Sequence, residues 1–271
     1  MVISLTTIPD RIHNIQPVIN SLKNQSVKIN KILIWIPFLY QNKFTYDIPE
    51  FLCNDPVVEI KRCHDLGPAT KYLYAIKELP VDQEFVVVDD DVIYSKFLVQ
   101  DLVSNKTIDA PKTIRGLKFI KKHIPRIRQD TQNNIKEITY CRKRIIRTNK
   151  KKITPVDVVC GVDGFSLKPK FFKSFLDTNF PIFKSNYIPN LQDIFYKQIN
   201  NKTSRFKNRF PWLHYDDIWI SAYLEANNIK KYSIPVTKLN EPCIHQNVQK
   251  LNGIRYENGN LYYNLVNSFN E

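Results

Sequence analysis

Three consecutive carboxylates, Asp89, Asp90 and Asp91, follow directly on the apolar run Phe85-Val86-Val87-Val88. The run is β-branched and aromatic and does not alternate, which reads as a strand buried on both faces. A buried strand that meets charge must surface there, because unpaired buried carboxylates are too costly. Adjacent acids also repel one another unless a cation sits among them. The strand end therefore suits a divalent metal with oxygen ligands. The same residues also read as a solvated acidic turn after a core strand, and on this stretch alone both readings stay open.

Other residues with chemical potential lie at comparable places. Thr6 and Thr7 open a loop that runs to Arg11, with Pro9 forcing Ile8 out of the helical region. His64-Asp65-Leu66-Gly67-Pro68 makes a turn before a helix that carries Lys71, and Pro68 costs nothing in a first helical turn. Asp216 and Asp217 fall in the first turn of a helix whose apolar residues Ile220, Tyr223 and Leu224 have helical spacing. As a cap, Asp216 is worth about 1 kcal/mol without any chemistry.

The elements that must position these groups alternate. Strands are expected over 2–5, 31–36, 57–60 and 85–88, with helices over 15–23 and 69–79. Such alternation predicts an α/β fold, a mostly parallel central sheet flanked by helices. Ligands of these sheets bind at the carboxyl ends of the strands. The Thr6–Arg11 loop, the Asp65–Lys71 turn and the three aspartates would all share that edge. Further along, strands are expected over 139–147, 156–160 and 232–236, a short strand after Gly164, and helices over 169–177 and 215–224.

Composition narrows the function classes. The 271 residues suit one domain, divided here into a nucleotide-binding half (1–110), a basic excursion (111–155), an acceptor and catalytic half (156–246) and a tail (247–271). The net charge of +14 favours anionic partners, and the excursion, rich in Lys and Arg, is a candidate polyanion contact. Only six glycines occur and no glycine-rich phosphate loop is present. Five scattered cysteines without a C-x-x-C argue against a disulfide framework or a zinc site. The first residues lack the pattern of a signal peptide, and no apolar stretch is long enough to span a bilayer, so a cytoplasmic location is expected.

A strand ending in Asp89-Asp90-Asp91, a preceding Leu66-Gly67-Pro68-Ala69-Thr70-Lys71 segment and a later Asp216-Asp217 at a helix start resemble the GT-A glycosyltransferases, family 2-like members above all. The aspartates look like the D-x-D motif of that family. The resemblance implies a GT-A (Rossmann-like) fold, a nucleotide-sugar donor, taken as a UDP-sugar, and Mn²⁺ or Mg²⁺. It implies Asp91 on the metal, Asp89 on the metal or the ribose, and His245 as a third ligand. Thr6, Thr7, Arg11, Asp65, Lys71, Asp89 and Asp90 would line the nucleotide site. Asp217, or Asp216, would deprotonate a hydroxyl of a glycan or protein acceptor, by an inverting mechanism. Gly161 and Gly164 look like a turn that lets sugars approach the backbone, and Trp212, His214 and Trp219 would wall a sugar ring. A diphosphate leaving group without a phosphate loop needs neutralisation by metal, Lys or Arg, which fits the same residues.

Two other readings compete. Clustered carboxylates on a basic protein also suit a metal-dependent nuclease or nucleotidyltransferase. Salt-dependent binding or cleavage of nucleic acid discriminates that reading, whereas the basic segment alone would suit a non-catalytic polyanion-binding module, whose partner binding a charge reversal of Arg142-Lys143-Arg144 should weaken without touching donor binding.

Overall fold

In the computed structural model, residues 1–122, 127–129, 135–137, 140–147, 152–172, 216–238 and 240 are described. Strand β1 (Val2–Thr6) leads through helix α1 (Gln16–Lys23) to β2 (Lys31–Pro37). A short helix α2 (Glu50–Cys53) precedes β3 (Val58–Cys63), and α3 (Thr70–Glu78) leads into β4 (Phe85–Val87). Next come α4 (Leu98–Ser104) and the two-residue β5 (Lys112–Thr113). A ribbon follows, made of β6 (Arg115–Lys122), β7 (Ile127–Gln129), β8 (Ile135–Glu137) and β9 (Tyr140–Arg147). The chain returns through β10 (Thr154–Val156), β11 (Val158–Val159) and β12 (Phe165–Leu167). Helix α5 (Asp216–Ala226) and β13 (Lys231–Ser233) complete the described elements.

Eight strands form one mixed sheet in the order β10-β13-β5-β12-β4-β1-β2-β3. The pairs β4-β1, β1-β2, β2-β3 and β13-β5 are parallel, while β12 runs antiparallel between β4 and β5 and β10 antiparallel to β13. This is the mostly parallel α/β sheet flanked by helices that the alternating sequence implies. The central strands form because their apolar runs are buried on both faces. Side chains alternate with period two. Val2, Leu33, Trp35, Phe85 and Val87 pack towards α3 and α5, whereas Ile3, Leu5, Ile32, Ile34, Val86 and Val88 pack towards α1 and α4.

The basic excursion has two parts. Its first strand, β5, and its last, β10, belong to the main sheet, and Lys112 of β5 is buried against Glu84 at 2.8 Å. Between them β6 pairs antiparallel with β9 along eight residues and with β11, and β7 pairs with β8. The expected single strand over 156–160 is two strands in different sheets, because the chain turns at Asp157, whose N–H donates to Leu117 O. The expected helix over 169–177 begins as a 3₁₀ turn, Pro169–Phe172, and its remainder lies outside the described residues.

Gly116 sits where the two sheets meet. A Cβ there would lie 2.4 Å from Val156 Cγ1, closer than any real contact, although the backbone is not left-handed. Gly116→Ala is expected to cost about 1–3 kcal/mol by overpacking. A Val156→Ala partner should recover most of that loss in a urea melt, which checks that the strain is this contact.

Candidate functional site

The period-two alternation of β4 continues into the aspartates and separates their roles. Phe85 and Val87 face α3 and α5, and Asp89 follows them. Val86 and Val88 face α1 and α4, and Asp90 follows those. The strand ladder persists to this point, with Val88 N–H donating to Ser4 O.

On the α1 side, Asp90 is buried and both of its oxygens are engaged. Arg11 Nη1 donates to Oδ1 at 2.7 Å and Thr7 Oγ1 donates to Oδ2 at 2.7 Å. Arg11 also reaches Asp91 Oδ2 at 3.4 Å. Burial pushes the Asp90 carboxyl up, and Arg11 and Thr7 pull it back only in part. The Tyr46 hydroxyl donates to Thr7 O at 2.9 Å, fixing the loop from the other side.

On the α3 and α5 side, Lys71 Nζ lies 2.7 Å from Asp89 Oδ1 and 2.8 Å from Asp216 Oδ2. Its side chain is 5% exposed. Burial disfavours the Lys71 ammonium, yet Asp216, Asp89 and Asp217 together raise it well above the ordinary lysine range. Asp217 accepts the Gly161 N–H on both oxygens, at 3.0 and 3.1 Å. Burial first, then the Asp216 charge, push Asp217 well above the ordinary carboxylate range; Lys71 and the Gly161 N–H oppose this. Both acids open α5, whose N-terminal dipole favours negative charge. Eight of its eleven residues are buried, so α5 is a core helix and the position of its first turn is set by packing. Tyr72 contributes, stacking on Trp219 and donating its hydroxyl to Asp216 O at 3.2 Å.

Several expected site residues have other partners. Thr6 Oγ1 donates to Trp35 O at 2.7 Å. Asp65 holds two loops, accepting the Gly67 N–H at 2.8 Å and the Gln41 N–H at 2.7 Å. Gly67 has φ +60 and Gln41 φ 52, so this carboxylate steadies two left-handed turns. Gly164 has φ +84 and closes the 161–164 turn through its N–H to Gly161 O. Trp219 is a core residue of α5. His245, Trp212 and His214 lie outside the described residues.

Three groups escaped the sequence reading. The Tyr94 hydroxyl accepts the Asp89 N–H at 2.8 Å and donates to Asp89 O at 3.3 Å, bracketing that backbone from inside the core. Asp163 pairs with Arg115 Nε at 2.5 Å beside the Gly161 turn. Asn240 accepts the Ser95 N–H at 3.0 Å and donates to Asp163 O at 3.3 Å. Only the spacing of Tyr94 from the aspartates offered a local signal.

The edge thus gathers Asp89, Asp90, Asp91, Asp216 and Asp217 around two cations of the chain, Arg11 and Lys71. Among the described residues no three His, Cys, Asp or Glu side chains form a metal-holding group. Asp89 and Asp91 do fit a hard cation that takes one or two carboxylates and completes its shell with water and substrate phosphates. Their side chains are 28% and 22% exposed, and among the described residues the five acids gathered here outnumber Arg11 and Lys71, which favours such an ion.

No family model matches the chain, and no curated protein matches its sequence. Solved structures similar in chain path include S. aureus TarS 1-349, at 13% identity and TM-score 0.46, covering 88% of this chain and 59% of that one. The Francisella tularensis 2-C-methyl-D-erythritol 4-phosphate cytidylyltransferase gives 12% identity and TM-score 0.43, covering 97% of each chain. The same enzyme from Thermus thermophilus gives 6% and 0.40, covering 86% of each. The chain therefore spans 59% of the TarS structure, and overlaps at this level say nothing about chemistry. No helix among the described residues is long and apolar enough to cross a membrane.

Proposed function

We propose that the protein is a metal-assisted transferase of GT-A type that moves a sugar from a nucleotide-diphosphate sugar, taken as a UDP-sugar, to an acceptor hydroxyl. The observation that supports this most is the meeting of Asp89 with Asp216 and Asp217 across Lys71, which sets a donor-side carboxylate beside an enclosed acidic pair.

Asp89 and Asp91 would hold Mn²⁺ or Mg²⁺, which when bound supplies positive charge to the leaving diphosphate. Arg11 and Thr7 fix Asp90 and so hold the loop that presents Asp91. In the transfer, the acceptor oxygen bonds to the anomeric carbon, the bond from that carbon to the phosphate oxygen breaks, and the acceptor proton passes to Asp217. Burial and the Asp216 charge raise its affinity for that proton. Gly161 holds the Asp217 carboxylate by its N–H. The acceptor is a glycan or protein hydroxyl, and the basic ribbon is a surface for polyanions.

UDP with Mn²⁺ is expected to raise the melting temperature. At a ligand concentration 100 times Kd the stabilisation is about 2.7 kcal/mol, or about 5–10 °C for a chain of this size. Asp91→Ala should remove the rise without unfolding the protein. Should no nucleoside diphosphate with metal shift the melt, the reading is wrong. Release of pyrophosphate from a nucleoside triphosphate would instead place the chain among nucleotidyltransferases.

A further inference from the structure

We propose that Lys71 is an internal counter-ion and positioning residue, a cation supplied by the chain to lock Asp89 to the Asp216–Asp217 pair, and not a ligand of donor phosphates. Its geometry stands apart from the transferase reading; only its consequence for turnover rests on it.

Three observations carry the assignment. The ammonium is already spent. It donates to Asp89 Oδ1 at 2.7 Å and forms an ion pair with Asp216 Oδ2 at 2.8 Å, and its side chain is almost closed to solvent. A phosphate-binding lysine needs a free, swinging head group, and withdrawing this one would leave three carboxylates facing each other.

The stem is also fixed at its root. Ser4 Oγ donates to Lys71 O, and Trp35 Nε1 donates to Ser4 Oγ at 2.9 Å, tying the first turn of α3 to the sheet through a buried hydroxyl. The neighbouring Tyr72 grips the main chain of Asp216. Residues 71 and 72 thus hold the start of α5 by side chain and backbone together.

Finally, the space opposite the ammonium is kept empty. A Cβ on Gly161 would lie 2.9 Å from Lys71 Nζ and 3.2 Å from both Asp217 Oδ1 and Asp89 Oδ1. Gly161 is outside the left-handed region, so its conformation does not demand glycine. Room for the lysine and its acids does.

Without the ammonium, the three carboxylates should recruit a replacement cation. Purified full chains are titrated with Mn²⁺ alone, without nucleotide, and free Mn²⁺ is read by electron paramagnetic resonance. Lys71→Met is expected to bind Mn²⁺ about tenfold tighter than the unsubstituted chain. Adding Asp216→Asn should cancel the gain. Gly161→Ala should destabilise the unsubstituted chain more than the Lys71→Met chain, because the clash partner has gone. A folded Lys71→Met chain that binds Mn²⁺ no tighter, or that merely loses UDP affinity, overturns the proposal. If Lys71→Met and the milder Lys71→Gln are unfolded, 1 mM Mn²⁺ should restore their circular dichroism, and failure to do so also overturns it. A gain in Mn²⁺ binding alongside an absence of any sugar transfer would reject the transferase reading and leave the role of Lys71 intact.

Discussion

Asp217→Asn is expected to lower turnover by about 10²–10⁴-fold while the melting-temperature rise with UDP and Mn²⁺ survives. The amide keeps an oxygen for the Gly161 N–H, so the turn it steadies should persist. What it loses is the ability to take a proton. The unsubstituted chain should show the matching pH dependence. A base works only when deprotonated, so the rate should fall as pH falls through the Asp217 pKa. Burial and the adjacent Asp216 raise that pKa, so the midpoint should lie above the usual carboxylate value of about 4. Asp216→Asn removes a like charge and should move the midpoint down. Full activity in Asp217→Asn would end the assignment.

The second large effect concerns stability. Asp90→Ala should cost about 3 kcal/mol, the lower end for breaking a buried ion pair, because Arg11 keeps Asp91 as a second partner at 3.4 Å. For a chain of this size that is a fall in Tm of about 6–12 °C. The loss comes less from the pair itself than from what it leaves behind, a mostly buried guanidinium and a Thr7 hydroxyl without its acceptor. Arg11→Met combined with Asp90→Leu should recover much of it, since burial already works against the Asp90 charge. A thermal melt of the three chains decides this, and a single Asp90→Ala chain as stable as the original would show that the network holds nothing.

The contrast between Asp90 and Asp217 shows what the amino-acid order reveals. Strands β1, β2 and β4 were legible because an apolar run buried on both faces has no other cheap arrangement, whereas the half-buried edge strand β3 shows only in the short run Val57-Val58-Glu59-Ile60. Helices α1, α3 and α5 were legible from their spacing. Four-residue α2 and two-residue β5 carry too little pattern to be seen, and β5 contains a lysine that is buried only because Glu84 meets it. Three adjacent aspartates look equivalent in order, whereas strand pleating sends Asp89 and Asp90 to opposite faces. That division follows from the period of two. The pairing of Lys71 with Asp216 spans 145 positions, and no spacing rule encodes it. Lys71, read as a phosphate or base contact, and Asp65, read as a base contact, each have partners within the chain, distant ones among them that only the fold brings near.

Asn240 has a consequence for the order in which the molecule is made. It joins Ser95 to Asp163, reaching back 145 and 77 positions, and the acids of α5 arrive only a little before it. The strands that bear Thr7 and the three aspartates leave the ribosome more than a hundred residues earlier. Synthesis proceeds from the N-terminus, so a nascent chain can present Asp89, Asp90 and Asp91 long before Asp216 and Asp217 exist to meet them. In that interval Lys71 has Asp89 alone as its partner. Completion of the edge is a late event in the life of each copy, and a product truncated before α5 would carry the three aspartates without the acids that meet them.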